Sequence, residues 1–379
     1  IVVCRVQPTV SMQIFFYIIA IVTYTARSVF FMIGAARERS QTRVVNDDEP
    51  LVTVIVPARN EEGTIGDCVA SLLNVDYPEH KLQIIIVNDR STDNTEAVLT
   101  SIGERSGRLH IVHIRHDGEK NLRGKAGALD VGFKSANGDI VVLTDADCRV
   151  PPGWVRSHAR QYKDPAVGLV CANTLVSGST FFARIQAVEW YSLNTMASAA
   201  VFFKQHLGCY GNNMSVRRSV YNGIGGYAAI PFSVTEDLAL LQAVAASGCT
   251  ARYLCTPESS VTTLALRTMA EYIAQHKRWA FGGQKLGIRA VVFVATSLAL
   301  WGGIFAAVTT GEWHWLALIL AMRVAEDVLI IAPSLRILGG LSLIPFTIPA
   351  VLFFTLLELS LPFLIIDRTV QWKDQSFKM

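Results

Sequence analysis

Residues 138–147 read GDIVVLTDAD, and this stretch decides the fold of the central part of the chain. We predict that this stretch forms a strand, whose apolar run, residues 140–143, has the composition of a buried strand. Asp145 and Asp147 follow that run with one residue between them. Like charges held together repel each other, so such a pair needs a partner. A solvated turn at a strand end would also carry aspartates, but a divalent cation explains the pair better.

The segments around this stretch alternate between strand and helix. Apolar and β-branched runs predict strands at 51–57, 82–89 and 109–114. Helical spacing or capping residues predict helices between them and after them, at 64–74, 91–102 and 124–136. Continuously apolar strands that alternate with helices indicate a parallel sheet covered on both faces. The sequence therefore predicts an α/β fold with a mostly parallel sheet, whose ligands bind at the carboxyl ends of the strands.

The two ends of the chain are apolar enough to cross a membrane. Residues 14–35 have the length of a transmembrane helix, and the basic flank ARERSQTR (36–43) favours the cytoplasmic side. Beyond residue 289, three more candidate segments follow, at 290–309, 313–332 and 341–366. Three C-terminal crossings would place the tail outside, whereas two crossings and a re-entrant or interfacial segment would keep it inside.

We therefore predict three regions for the 379-residue chain. They are an N-terminal transmembrane segment (1–36), a cytosolic catalytic domain with an interfacial helix at 268–288 (50–288), and a C-terminal transmembrane region of two or three spans (289–379).

Composition argues against several classes of protein. The net charge of +3 gives no support to a nucleic-acid partner. The seven cysteines form no CxxC pair and no Cys/His ligand spacing, which argues against a zinc site and against a disulfide framework. The glycines of GIGGY (223–227) do not have the spacing of a dinucleotide-binding turn.

The segment SVTEDLALLQAV (233–244) places Glu236 and Asp237 just before an apolar run with helical spacing. One interpretation is a helix N-terminus, where acidic side chains favour the helix dipole. The other makes Asp237 a general base, since a carboxylate can take the proton of an attacking hydroxyl. Beside the other polar segments, we favour the base.

The segment QHKRW (275–279) carries an amide, a guanidinium and an indole on one helical face, because Gln275, Arg278 and Trp279 lie at i, i+3 and i+4. An amphipathic helix at the membrane surface explains the basic residues in part. The same face also suits a diphosphate and a sugar ring, since Arg binds phosphate through a planar fork.

One apolar segment near the C-terminus contains three charges. Arg323, Glu326 and Asp327 share one helical face, and Glu358 follows in the next segment. Charges in a bilayer are costly, so these side chains are expected to face protein or water. They form either an internal ion pair that joins helices or one side of a path by which an acceptor substrate reaches Asp237.

Taken together, these segments resemble the family 2 glycosyltransferases, which are inverting enzymes with a GT-A fold. The resemblance runs from about residue 51 to about residue 286 and rests on VPARNEE, VNDRSTDNT, GKAGAL, TDADC, TED and QHKRW. It implies donor-binding roles for Pro57, Ala58, Glu61, Asp89, Lys125, Asp145 and Arg278. It also implies Mg²⁺ or Mn²⁺ on Asp147 and Asp145, catalysis by Asp237 with Glu236, and acceptor binding by Gln275 and Trp279.

The implied reaction is transfer of a sugar from a nucleotide-sugar donor, a UDP-sugar, to a membrane lipid with a β-glycosidic product. The enzyme is expected to be a multi-pass protein of the inner membrane with its catalytic domain in the cytoplasm. The tail VQWKDQSF (370–377) resembles the end of bacterial lipid glycosyltransferases, from which it departs at Asp374 and Gln375. The alternative is a processive β-polysaccharide synthase that extends a growing glycan, and a remote one is a non-catalytic transporter or scaffold.

Overall fold

The computed structural model describes residues 8–42, 49–372 and 375–378. The start of the predicted N-terminal segment, Arg43 of the basic flank and positions 373–374 of the tail lie outside the described residues. The helices are α1 Pro8–Gln41, α2 Ile65–Leu73, α3 Thr95–Ser106, α4 Gly124–Ser135, α5 Trp154–Ala159, α6 Phe181–Phe202, α7 Arg218–Gly223, α8 Gly226–Ala229, α9 Glu236–Ala246, α10 Met269–Gly283, α11 Ile288–Thr310, α12 Trp313–Ile337 and α13 Thr347–Leu364. The strands are β1 Val52–Ala58, β2 Leu82–Asp89, β3 Leu109–Ile114, β4 Ile140–Leu143, β5 Val167–Ala172, β6 Thr174–Ser177, β7 Met214–Arg217, β8 Thr250–Leu254, β9 Val261–Leu264, β10 Thr369–Trp372 and β11 Gln375–Lys378.

The central sheet has seven strands in the order β3-β2-β1-β4-β7-β5-β8. Strands β1 to β4 are parallel, and β7 runs antiparallel to both β4 and β5. One face packs on α2, α3 and α5, and the other packs on α4, α6 and α9. Apolar side chains therefore cover the sheet on both faces, as the unbroken apolar strands require.

The carboxyl ends of three neighbouring strands form one edge. Ile55 of β1 lies beside Ile85 of β2 and Leu143 of β4, so the chain leaves all three strands on the same side. Strand β4 ends at Leu143, and Asp145 and Asp147 follow in the turn beyond it. The two aspartates therefore lie past the sheet edge rather than within the strand.

Among the described residues, three helical segments are long and apolar enough to cross a membrane, namely Gln13–Gln41, Ile288–Thr310 and Leu341–Ser360. The predicted crossing at 313–332 is not one of them, because it carries three charged side chains. Helix α1 packs against α11, α12 and α6. At its contact with α6, a Cβ on Gly34 would lie only 2.7 Å from the Cβ of Ala199, so glycine allows the two helices to touch.

The charged residues of α12 face neighbouring helices, which confirms the prediction from their spacing. Arg323 is only 2% exposed, and its guanidinium lies 3.8 Å from Asp327 and 3.5 Å from Glu358 of α13. Glu326 accepts a hydrogen bond of 2.8 Å from Ser28 of α1. These contacts favour the ion pair that joins helices over a path for the acceptor.

The last apolar segment begins beside α6 and ends beside α10. Before α13, the ring of Phe346 lies 5.9 Å from that of Phe181 at the start of α6. After α13, Asp367 accepts a 2.7 Å hydrogen bond from Lys277 of α10. Although this segment is long enough to span a bilayer, the return of its end to α10 favours a re-entrant or interfacial segment.

Candidate functional site

A cavity of about 560 Å³ lies at the carboxyl ends of β1, β2 and β4. Its lining includes every side chain that the sequence singled out for the site: Pro57, Ala58, Glu61, Asp89, Lys125, Asp145, Asp147, Glu236, Asp237, Gln275, Arg278 and Trp279. Side chains that are far apart in the sequence, such as those of Pro57 and Trp279, therefore meet in one place.

Asp89 is buried at the end of β2 and is held by two cations. Lys120 donates a hydrogen bond of 2.6 Å to its carboxylate, and Arg90 donates one of 2.7 Å. Burial by itself raises the pKa of Asp89, but the hydrogen bonds from Arg90 and Lys120 outweigh burial and hold that pKa below its usual range. Asp89 is therefore a fixed carboxylate at neutral pH. No sequence pattern had indicated Lys120 as its partner.

The loop after β1 is joined to the loop after β2. The backbone N–H of Glu61 donates to the hydroxyl of Thr95 over 2.8 Å, and that of Asn60 donates to Ser91 over 3.0 Å. The Glu61 carboxylate accepts a 2.8 Å hydrogen bond from Thr64. These bonds make the two loops one wall of the cavity.

Lys125 lies between acidic groups from two different elements. Its ammonium is 2.5 Å from Asp145 and 3.4 Å from Glu236 at the start of α9. Burial lowers the pKa of Lys125, but the charges of Asp145 and Glu236 outweigh that effect and raise it. The side chain therefore keeps its positive charge inside the cavity.

Asp237 does not occupy the capping position of α9. The N-cap residue is Thr235, and no side-chain hydrogen bond caps the helix there. Instead, the Asp237 carboxylate accepts one backbone N–H from Gly211 at 2.8 Å and one from Leu238 at 2.7 Å. Glu236 and Asp237 both lie in the first turn of α9, which confirms the helix N-terminus interpretation, and the Asp237 carboxylate also lines the cavity, as a general base requires.

The pKa of Asp237 lies near neutrality. Burial raises it to about 6, with a further contribution from the negative charge of Glu236, against the opposing effects of Lys125 and the two backbone hydrogen bonds. A carboxylate of this pKa is ionised at pH 7 yet is basic enough to accept a proton.

The turn after β4 presents Asp147 to the cavity. Its two carboxylate oxygens each accept a long contact of 3.4 Å, one from Thr263 and one from the thiol of Cys148. Among the described residues, no three His, Cys, Asp or Glu side chains come together as a set of metal ligands.

The donor set nevertheless fits Mg²⁺ or Mn²⁺, because such ions are commonly held by one or two carboxylates while phosphate oxygens complete the shell. The cavity lining carries seven carboxylates and only four cationic side chains. Because carboxylates outnumber cationic side chains, a diphosphate that enters the cavity needs further positive charge, which a divalent cation would supply.

Helix α10 presents the predicted face to the cavity. Gln275, Arg278 and Trp279 all line it. The Trp279 ring lies 5.8 Å from that of Trp190 on α6 and 6.4 Å from that of Tyr210, and the latter two rings are 4.7 Å apart. Sequence reasoning missed Trp190 and Tyr210, since neither stands in a spaced motif.

Comparisons with known proteins show the family and the fold of the chain. The model of glycosyl transferase family 2 matches residues 53–225, and that of glycosyl transferase family group 2 matches residues 140–359, which is more than half of the chain. A β-monoglucosyldiacylglycerol synthase of Synechocystis is 31% identical over 246 residues, which cover 62% of this chain and 48% of the relative. A poly-β-1,6-N-acetyl-D-glucosamine synthase of Staphylococcus aureus is 27% identical over 295 residues, which cover 74% of this chain and 65% of the relative.

The chain thus spans about half to two thirds of the length of these two relatives. Among solved structures, a mannosyltransferase from Pyrobaculum calidifontis, in complex with GDP-mannose and Mn²⁺, matches 90% of this chain and 99% of its own. The TM-score is 0.61 at 22% identity, which supports the fold. The chain therefore belongs to the family 2 glycosyltransferases and is an enzyme with a GT-A fold.

Proposed function

We propose that this enzyme transfers a sugar from a UDP-sugar to a membrane lipid, with inversion at the anomeric carbon to give a β-linkage. The arrangement of Asp237 and Lys125 carries the proposal. Asp237, whose pKa is about 6, is suited to activate a hydroxyl. The ammonium of Lys125 lies in the same cavity and is suited to stabilise a departing diphosphate.

Asp237 acts as the general base. The two backbone N–H groups that its carboxylate accepts fix its orientation. The acceptor hydroxyl gives its proton to this carboxylate as the oxygen attacks the anomeric carbon. A single base on one side of the sugar permits attack from one face only, so an α-linked donor yields a β-linked product.

Lys125 and Arg278 bind the diphosphate from opposite walls of the cavity. Lys125 projects from α4 and Arg278 from α10, and both line the cavity. As the bond to the sugar breaks, these cations stabilise the charge that develops on the departing diphosphate. A divalent ion held by Asp147 and Asp145 would act as a Lewis acid toward the same phosphate oxygens.

The acceptor side of the cavity is aromatic and opens beside apolar surface. Leu264 and Phe232 line the cavity and are 48% and 43% exposed. Such a rim suits the glycerol and acyl portion of a lipid, while the rings of Trp190, Tyr210 and Trp279 suit its head group. The Synechocystis relative is named for a glucosyldiacylglycerol product, which supports the same acceptor class.

We propose that α1, α11 and α12 cross the inner membrane, that α10 and α13 lie at its surface or re-enter it, and that the catalytic domain faces the cytoplasm. The charges of α12 are directed at α1 and α13, which supports a crossing by this helix inside the helical bundle. The Lys277–Asp367 pair supports placing the C-terminal hairpin β10–β11 on the catalytic side.

A polysaccharide synthase is the second candidate, favoured by the aromatic cluster and by the Staphylococcus aureus relative. Incubation of membranes that contain the enzyme with a panel of radiolabelled UDP-sugars distinguishes a lipid glycosyltransferase from a polysaccharide synthase. A label that moves into organic solvent, with a mass one hexose above a membrane lipid, supports the lipid acceptor. A label that stays in a large polar product refutes it in favour of the polymer, and no incorporation from any donor refutes both.

Replacing Lys125 should change both donor binding and the pH dependence of activity. The Lys125 charge lowers the pKa of Asp237. In Lys125→Gln, the pKa of Asp237 is therefore expected to rise, so the activity should increase at a higher pH than in the wild type. The donor KM should also rise. Initial rates measured against pH and donor concentration test this. Lys134→Gln is the control, because Lys134 lies on the same helix but pairs with Asp130 outside the cavity.

A further inference from the structure

A buried cluster joins α6 to α10 behind the aromatic wall of the cavity. Glu189 of α6 accepts a 2.7 Å hydrogen bond from Nε2 of His276 and a 2.8 Å hydrogen bond from the hydroxyl of Tyr272. Nδ1 of His276 lies 2.8 Å from the backbone carbonyl of Tyr272. All three side chains are buried, and none of them lines the cavity.

The geometry fixes one proton of His276 and leaves a second proton shared with Glu189. A backbone carbonyl only accepts, so Nδ1 of His276 carries a proton. Nε2 faces a carboxylate oxygen, so a second proton lies between His276 and Glu189. The pair is therefore an imidazolium with a carboxylate or an imidazole with a carboxylic acid. Both forms keep the same hydrogen bonds.

The cluster connects two sets of cavity residues. Trp190 follows Glu189 directly on α6, and Trp279 lies three residues after His276 on α10. The ring of His276 meets that of Trp279 edge to face, with centroids 4.9 Å apart. The edge-to-face contact between Trp279 and Trp190 therefore depends on how firmly Glu189 holds His276.

We propose that Glu189, through its hydrogen bonds to His276 and Tyr272, is a positioning residue that sets Trp279 against Trp190 for the acceptor. It touches neither the donor nor the reacting atoms. Of the donor groups, Lys125 and Asp89 lie on α4 and β2. Arg278 shares α10 with His276, but side chains at positions i and i+2 leave a helix on different faces. Loss of Glu189 should therefore weaken acceptor binding and leave donor binding intact.

The test compares two substitutions of Glu189. In Glu189→Ala, the acceptor KM is expected to rise by about tenfold or more, a factor that matches the loss of a buried, charge-assisted hydrogen bond. The donor Kd and the slow hydrolysis of donor by water should stay as in the wild type. In Glu189→Gln, the amide donates to Nε2 of a neutral His276 and accepts from Tyr272, so the acceptor KM should stay within about twofold.

Glu38→Ala is the matched control. Glu38 is also a buried carboxylate, which accepts a 2.8 Å hydrogen bond from the backbone of Tyr253 away from the cavity. This variant should lose stability without a change in acceptor KM. If Glu189→Ala does not fold, Tyr272→Phe decides instead, with an expected rise of about fivefold in acceptor KM from the loss of one hydrogen bond.

An unchanged acceptor KM, or a parallel loss of donor and acceptor binding, would overturn the positioning role. The inference rests on the proposed transfer to an acceptor. Wild-type enzyme that binds no nucleotide sugar and labels no product refutes the proposed function. If the wild-type enzyme is active and Glu189→Ala has the same acceptor KM, only the role of Glu189 is refuted.

Discussion

Asp237→Asn should lower turnover by at least about 10²-fold, because an amide cannot accept the proton of the acceptor hydroxyl. Donor binding should stay intact, since the substitution keeps the shape of the side chain. Asparagine retains one of the two hydrogen bonds from Gly211 and Leu238, so the free energy of unfolding should fall by only about 1 kcal/mol. Initial rates with saturating donor and acceptor, together with the donor Kd, measure both effects.

The pH dependence of the reaction is a second test of Asp237. Asp237 has a pKa of about 6 and works only when it is deprotonated. The kcat/KM for the acceptor should therefore be low at pH 5, rise as the pH passes 6, and level off above pH 7. Asp130→Asn removes a carboxylate outside the cavity and should keep this profile. Wild-type rates in Asp237→Asn would show that another group is the base.

Asp147→Asn should reduce turnover by about 10³-fold, since a metal ion at a phosphoryl oxygen is worth several kcal/mol of charge stabilisation. The cavity lining has an excess of carboxylates, so a bound diphosphate depends on added positive charge. Excess EDTA should likewise stop the wild-type reaction, and Mn²⁺ or Mg²⁺ should restore it. The rate before and after chelation, with each ion added back, measures the dependence.

Asp67→Asn serves as the control for this substitution. Asp67 is an exposed aspartate paired with Arg149 and does not line the cavity. Its replacement should leave both turnover and the response to EDTA unchanged. Full activity in excess EDTA, or in Asp147→Asn, would remove the metal from the mechanism.

Much of the sheet could be predicted because its signal is local. The runs at 82–89 and 109–114 coincide with β2 and β3, since apolar and β-branched residues favour strands. Residues 84–89 of β2 are buried, whereas the edge strand β3 is only partly buried. Strand β4 is shorter than the stretch GDIVVLTDAD and covers only its apolar run, because the chain turns after Leu143. The spacing in QHKRW also predicted its shared face, because i, i+3 and i+4 positions are fixed by the helix itself.

The remaining features depend on contacts between distant segments. Nothing near Met214–Arg217 indicates that this short strand enters the sheet antiparallel, between β4 and β5. The partners of Asp89 and the aromatic wall of Trp190 and Tyr210 likewise arise from packing. Local periodicity carries no information on which side chain from another element will lie opposite. The roles assigned to the cavity residues stay predictions until the substitutions are made.

The contact of α1 with α6 has a practical consequence for obtaining this enzyme in water. Besides the close approach at Gly34, the ring of Phe30 stacks on that of Phe203 at 4.3 Å. Glu38 on the same helix binds the backbone N–H of Tyr253 in the central sheet. A fragment that starts after α1 would expose this apolar face and leave a buried N–H without its acceptor. Such a fragment should aggregate or need detergent, so purification calls for the anchor and the catalytic domain together.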